Sequence, residues 1–299
     1  MADDPVQDIT PIGDCRECGF RCSLLPSGRC TPGDRCVAVQ SGRQIDRFFR
    51  NNPQVAVQYL SDPFWERRAI AVRYAPVESL GPLLHDNDEV VRRAVAYRLP
   101  REQLAALLHD EDREVRITVA DRLPVEQLEQ MAADRDYLVR AYVVQRIAPG
   151  RLFRFMRDED REVRITVADR LPVEQLEQMA ADRDYLVRAY VVQRIAPGRL
   201  FRFMRDEDRE VRKQVARRLP AESLGLMAQD PEPEVRRIVA SRLAGVDLLE
   251  LLHDPDWTVR LAAVENAALD ALRRLVETDP EVRRAIGERL AGGCPEGAR

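Results

Sequence analysis

The sequence predicts an all-α solenoid of 24-residue repeats preceded by a small cysteine-rich module. Three observations carry this prediction. From residue 62 the chain repeats in strict register: Asp62, Asp86, Asp110, Asp134, Asp158, Asp182, Asp206, Asp230 and Asp254 form one column, and Arg68, Arg92, Arg116, Arg140, Arg164, Arg188, Arg212, Arg236 and Arg260 a second. Leu80, Leu104, Leu128, Leu152, Leu176, Leu200, Leu224, Leu248 and Leu272 form a third, each followed three residues later by another apolar side chain, from Leu83 to Leu275. Second, the repeats show neither period-two alternation nor hairpin turns, so strands are not expected. Third, five of the six cysteines fall in "CRECGFRCSLLPSGRCTPGDRC", residues 15 to 36.

One unit, "DEDREVRITVADRLPVEQLEQMAA" (110–133), reads as two helical pieces. Asp110 or Asp112 caps a helix by accepting from its free N–H groups, and Val115, Val119 and Leu123 recur along one face. Pro124 stops that helix and suits the first turn of a second, short helix carrying Leu128 and Met131 inward. Two full helices per repeat need roughly 34 to 47 residues, so the second element must be short, of 3₁₀ type. A unit this small cannot close a core alone, and its apolar columns must be buried by stacking. Nine units stacked at helix-packing distance would span about 80 Å.

The charged columns are expected to be structural. Pairs such as Asp88 and Arg92, Asp112 and Arg116, Asp184 and Arg188, and Asp256 and Arg260 stand at i, i+4, with Glu232 and Arg236 of the same kind. A second set, Arg98, Arg122, Arg146, Arg170, Arg194, Arg218 and Arg242, is expected to be solvated and to form a basic stripe open to nucleic acid. Residues 110–164 are identical to residues 158–212, an offset of 48, which marks a recent or deliberate duplication of a repeat pair.

At the ends, "IDRFFRNNPQVAVQYLSDPFWERRAIAVRYAP" is rich in aromatic residues and is expected to dock the cysteine module onto the first repeat, or else to offer a face to a partner. "TDPEVRRAIGERLAGG" arrives one residue early and reads as a C-terminal cap, with Cys294 an incidental thiol in the tail. The resulting organisation is 1–45 cysteine module, 46–61 aromatic cap, 62–277 nine repeats, and 278–299 capping unit and tail.

The formal net charge of −4 and pI near 5.7 argue against a chain whose bulk charge is built for nucleic acid. "MADDPVQDIT" lacks the features of a secretory signal and no apolar run is long enough to span a membrane, so a cytoplasmic monomer is expected. In a reducing compartment, clustered cysteines point to a soft metal rather than disulfides. The spacing C-x2-C-x3-C-x7-C-x5-C holds one CxxC pair where a zinc ribbon normally has two. An iron-sulfur cluster tolerates this irregularity better, with zinc and regulatory thiols as alternatives. Cys30 and Cys36 lie among turn residues suited to a ligand loop. The assigned ligands are Cys15, Cys18, Cys30 and Cys36; Cys22 is the alternate, since Cys15, Cys18 and Cys22 would share a face if helical.

The module "CRECGFRC…GRCTPGDRC", then "SGRQIDRFFR" and "DPFWERRAIAVRYAP", then the "DxDxxVRxxVAxRLP" repeats, closely resembles the leucine-rich repeat variant (LRV) proteins with an N-terminal iron-sulfur cluster. The resemblance covers nearly the whole chain. It implies a right-handed superhelix of alternating α and 3₁₀ helices, a small [4Fe-4S] domain at its start, and an origin in nitrogen-fixing bacteria. The 48-residue duplication departs from that pattern and suggests an extended or engineered form. No Gly-rich phosphate loop or HExxH is present, and His85, His109 and His253 share one repeat-boundary column, so catalysis is not expected. The readings that follow are a non-enzymatic scaffold for a protein partner with a structural or redox-sensing cluster, an electron-transfer protein, and a nucleic-acid binder using the arginine stripe. Because the duplicated segment is a whole number of units, deleting residues 158–205 should leave a folded, shorter solenoid. Far-UV circular dichroism should show undiminished helicity per residue and a cooperative melt; loss of both would refute the register.

Overall fold

The computed structural model describes residues 10–292, so the expectations for the N-terminal nonapeptide and for Cys294 lie outside the described residues. The chain forms two compact units, Met1–Ala148 and Pro149–Arg299. Among the described residues there is no β-strand, only an isolated bridge between Thr31 and Arg35.

In the first unit α1 (Gly42–Asn51), α2 (Trp65–Tyr74), α3 (Glu89–Arg98), α4 (Arg113–Arg122) and α5 (Tyr137–Arg146) pack each against the next. Each is ten residues long. The second unit continues the pattern with α6 (Arg161–Arg170), α7 (Tyr185–Arg194), α8 (Arg209–Arg218) and α9 (Pro233–Arg242), then α10 (Leu248–Leu251), α11 (Trp257–Asn266), α12 (Leu269–Arg274) and α13 (Pro280–Gly292). Seven-residue 3₁₀ helices such as Arg101–Leu107, Val125–Met131, Val173–Met179 and Ala221–Met227 alternate with them. Runs of 3₁₀ helix longer than three or four residues are uncommon, and here each is held by a leucine and a second apolar side chain sunk in the core. The residue before each proline turns extended, as at Leu123 with ψ 142°, so the α-helix ends there. Where the proline is missing, at Ala244 and Ala268, the second element winds instead as the short α10 and α12. This departs from strict α/3₁₀ alternation where no proline opens the second element, although α9 and α11 still end on the extended Leu243 (ψ 151°) and Ala267 (ψ 146°).

Capping follows the sequence reading in part. Asp88, Asp112, Asp136, Asp160, Asp184, Asp208 and Asp256 accept from N–H groups in the first helical turn. They are therefore caps, and the i, i+4 pairing expected of them is replaced. Seven of the column arginines instead reach forward 18 residues to the first aspartate of the next repeat. Arg68–Asp86, Arg92–Asp110, Arg116–Asp134, Arg164–Asp182, Arg188–Asp206, Arg212–Asp230 and Arg236–Asp254 are bidentate, with Nε and Nη2 donating over 2.7–3.2 Å. The Nη1 of the same arginine donates to the backbone oxygen of the aspartate six residues before it, as in Arg92 to Asp86 (2.7 Å) and Arg116 to Asp110 (2.8 Å). Each aspartate also accepts from the N–H two residues on.

The second arginine set corrects an expectation as well. Most of these side chains are half-buried, and they reach back 26 residues to carbonyls at the C-terminal end of the preceding helix: Arg98 to Val72 (2.8 Å), Arg146 to Ala120 (2.5 Å), Arg194 to Ala168 (2.6 Å) and Arg242 to Ala216 (2.6 Å), with Arg122 and Arg218 bonded likewise to Ala96 and Val192. Helix C-termini leave carbonyls without intrahelical donors, and a cation there also suits the helix dipole. The stripe is thus helix-end capping rather than a free basic surface.

The last unit shows how the one-residue slip is absorbed. Arg260 finds Glu277, 17 residues on, at 2.8 and 3.1 Å, and the longer side chain restores the missing reach. Glu277 also accepts from the N–H groups of Thr278 and Asp279, and the Arg260 hydrogen bond is the foremost cause that pulls its carboxyl down to about 2 from an ordinary 4.5. A carboxylate whose folded-state pKa is depressed stabilises the fold above its unfolded pKa and loses that contribution as pH falls toward the folded value. The melting temperature should therefore drop between pH 4.5 and 2. Glu277→Gln should lower it at pH 7 and flatten that drop, measured by circular dichroism across pH.

Candidate metal centre

The cysteine segment is built from turns rather than helix, so Cys15, Cys18 and Cys22 do not lie on one helical face. Two glycines fix its path. Gly28 (φ 67°) ends the first set of turns, where Arg29 N–H donates to Leu24 O (3.0 Å) and Gly28 N–H to Leu25 O (3.1 Å), the pairing of a Schellman close. Gly33 (φ 82°) follows Pro32 in a type II turn, with Asp34 N–H on Thr31 O at 3.3 Å. Thr31 and Arg35 then exchange backbone hydrogen bonds of 2.9 and 3.0 Å, which sets Cys30 and Cys36 side by side on the two arms.

Four of the five cysteines are brought together. Cys15, Cys18, Cys30 and Cys36 line one small cavity with Asp14, Phe20, Thr31, Pro32, Arg35, Val37, Ala38 and Phe48. Cys30 and Cys36 are buried and Cys15 and Cys18 half-buried, while Cys22 is exposed and does not line this space. All five thiols are free of disulfides. Burial pushes the Cys30 thiol up, its neighbours Cys18, Cys15 and Cys36 push it further, and Arg35 opposes them. Burial, with Cys18 beside it, raises the Tyr59 hydroxyl to about 12.

The cradle is fastened to α1 by apolar and polar contacts. Phe20 meets Phe48 at 5.4 Å and Tyr59 at 6.4 Å, and Phe49 stands edge-on to Tyr59 at 5.3 Å. The buried Asn52 donates to Arg29 O and Phe48 O, both at 2.9 Å, and the buried Gln44 donates to Pro11 O at 2.8 Å. Arg47 pairs with Asp34. Trp65, by contrast, is exposed.

These residues fit a bound group that brings its own acceptors. Thr31 Oγ1 and Arg35 Nε are buried without a hydrogen-bond partner, and both residues line the thiol cavity. Four thiols on one cavity wall are a soft donor set suited to a thiolate-bound metal group. Gly13, Gln44 and Asn52 carried no signal in the sequence, because each acts through a contact across many residues, and the inward side chain of Thr31 shows only once the cavity exists. His85, His109 and His253 are exposed and take no part. No helix among the described residues is long and apolar enough to cross a membrane.

Repeated α and 3₁₀ elements behind a four-cysteine cradle define a helical-repeat protein with a metal-cluster module. Comparison with known proteins gives the family. Residues 11–58 match the LRV protein FeS4 cluster family, and residues 90–112, 113–136, 161–184 and 209–232 match the leucine rich repeat variant family; residues 247–266 match a HEAT repeat. A solved structure described as a leucine-rich repeat variant with a novel repetitive structural motif is 70% identical over 94% of this chain and 100% of its own, at a TM-score of 0.40. An uncharacterised 27.7 kDa protein in the nifB 3′ region of Rhodobacter capsulatus is 40% identical over 87 residues, 29% of this chain. The match spans about a third of that relative's length (35%). A crystal structure of an engineered protein shares 17% identity over 84% of this chain, at a TM-score of 0.30. The chain belongs to the leucine-rich repeat variant family in its iron-sulfur form, and a homologue lies beside a nitrogen-fixation gene.

The backbone beside Cys36 holds a sensitive position. A Cβ on Gly13 would run into Cys36 Sγ. Gly13→Ala should lower the metal bound per chain, measured by elemental analysis, while leaving the melt of the repeats unchanged.

Proposed function

We propose that the protein is a non-enzymatic scaffold whose repeats present an extended surface to a protein partner, and whose N-terminal module holds a [4Fe-4S] cluster through Cys15, Cys18, Cys30 and Cys36 in a structural or redox-sensing role. The convergence of four thiols on one cavity, with Cys22 left outside it, is the observation that carries this reading. All-cysteine ligation suits iron-sulfur chemistry, and four thiols on one cavity match the four thiolates that a [4Fe-4S] cluster takes. When bound, the cluster would supply one-electron chemistry. The chain itself would position the thiolates, shield them with Phe20, Val37 and Phe48, and tie their loops to α1.

Electron transfer to a docked redox protein is the second reading, favoured by the half-buried Cys15 and Cys18 at the cavity edge. The nucleic-acid reading loses its footing, because the arginines it relied on are bonded to helix-end carbonyls.

Anaerobic purification with iron, sulfide and zinc analysis, followed by absorption and EPR spectra before and after dithionite, tests the assignment. About four iron and about four acid-labile sulfide per chain are expected. They should be lost in Cys30→Ser and kept in Cys22→Ser. A colourless chain with one zinc would refute the cluster, and a cluster that no accessible potential reduces would refute electron transfer.

A further inference from the structure

The loop between the two buried cysteines does more than space them. Its residues Thr31 to Arg35 close on themselves through backbone hydrogen bonds, so neither side chain is needed to hold the turn. Both are nevertheless drawn inward to line the thiol cavity, and both carry a buried polar atom with no partner: Thr31 Oγ1 and Arg35 Nε. Buried donors without acceptors are costly, each on the order of 1–3 kcal/mol, and a folded chain seldom keeps two of them four residues apart unless something meets them. Arg35 has a carboxylate nearby in Asp34, but Nε stands 3.6 Å from Asp34 Oδ2, beyond hydrogen-bond reach. Asp34 Oδ1 is already taken by Arg47. A water molecule would need further polar partners, and the rest of the cavity wall is thiol, aromatic and aliphatic apart from Asp14. Asp14 is itself held at its carboxylate by Arg16, with Nε at 3.0 Å and Nη2 at 2.6 Å.

We propose that Thr31 and Arg35 are positioning residues for the bound cluster, whose hydroxyl and guanidinium donate to its sulfur atoms and hold its reduction potential above the value that four thiolates alone would give. This rests on the cluster reading stated above and adds what the protein does to the cluster. Reduction adds negative charge to a group already surrounded by thiolates, so each donor and the nearby cation favour the reduced form. No proton or atom is transferred: one electron enters from an external donor and the hydrogen bonds shorten around the added charge. The Arg35 cation and the Thr31 hydroxyl act by different physics, one through charge and the other through a single O–H, and can be removed separately.

Thr31→Val removes the hydroxyl at nearly constant shape, Thr31→Ser restores it, and Arg35→Met removes the charge and the donor. Each is compared with the parent chain, purified anaerobically, with iron and sulfide measured first. EPR-monitored redox titration should show Thr31→Val and Arg35→Met each shifting the reduced-to-oxidised ratio at fixed potential by about tenfold toward oxidised, about 59 mV for a one-electron couple. Thr31→Ser should return to the parent value. Independently of reduction, resonance Raman Fe–S stretching bands of the parent should shift in deuterium oxide, and that isotope shift should shrink in Thr31→Val. Loaded variants with the parent potential and an undiminished isotope shift would overturn the inference while leaving the cluster in place. A parent chain without iron and sulfide would instead end the cluster reading itself.

Discussion

The structure depends on a guanidinium that belongs to two repeats at once. Arg92, for example, holds the backbone carbonyl of Asp86, the first aspartate of its own repeat, and both carboxylate oxygens of Asp110, the first aspartate of the next, 18 residues on. The pair is buried: Arg116 and Asp134 retain 4% and 8% of their side-chain exposure, against 59% and 81% for the surface pair Arg273 and Asp270. Such pairs add little net stability compared with apolar packing, but removing one partner strands a charge at a cost of about 3–5 kcal/mol. Every stacking that slips by a residue would incur that cost at each joint. The apolar columns supply the driving force for stacking, and the arginine decides the register in which stacking occurs.

Much of this was legible in the sequence, for a physical reason. A solenoid is held by nearest-neighbour contacts, so its determinants recur at the repeat length and appear as columns. Helix, proline stop and short 3₁₀ turn each follow from side chains within one unit. The partners of the arginines were not legible, because Asp88 and Asp110 are equally available to Arg92 on paper. Local spacing favours the first, yet the Asp88 carboxylate is occupied by the N–H of Val90. The second arginine set misled for a related reason: helix-end carbonyls are backbone groups, and no residue type announces them.

The cysteine module is the opposite case, since it occurs once and has no column to confirm it. The turns at Gly28 and Gly33 could be anticipated from residue type, and they account for the pairing of Cys30 with Cys36. What brings Cys15 and Cys18 to the same space is remote. Phe20 packs against Phe48, Gln44 holds Pro11 and Asn52 holds Arg29, and these contacts cross 23 to 33 residues of chain or unite side chains that show no pattern. The orphaned donors at Thr31 and Arg35 are visible only once the cavity exists.

The mismatch at Glu277 sets a boundary on how such a chain can lengthen. From Asp62 to Asp254 the sequence repeats the same aspartate and the same arginine every 24 residues, so copies of a repeat pair can be inserted in phase, as residues 158–205 illustrate. At Arg260 the joint uses a different acid at a different distance, and a copy placed beyond it would meet the ladder out of phase. The repeats of this sequence can therefore be multiplied between two elements that stay single, the cysteine cradle and the glutamate clasp.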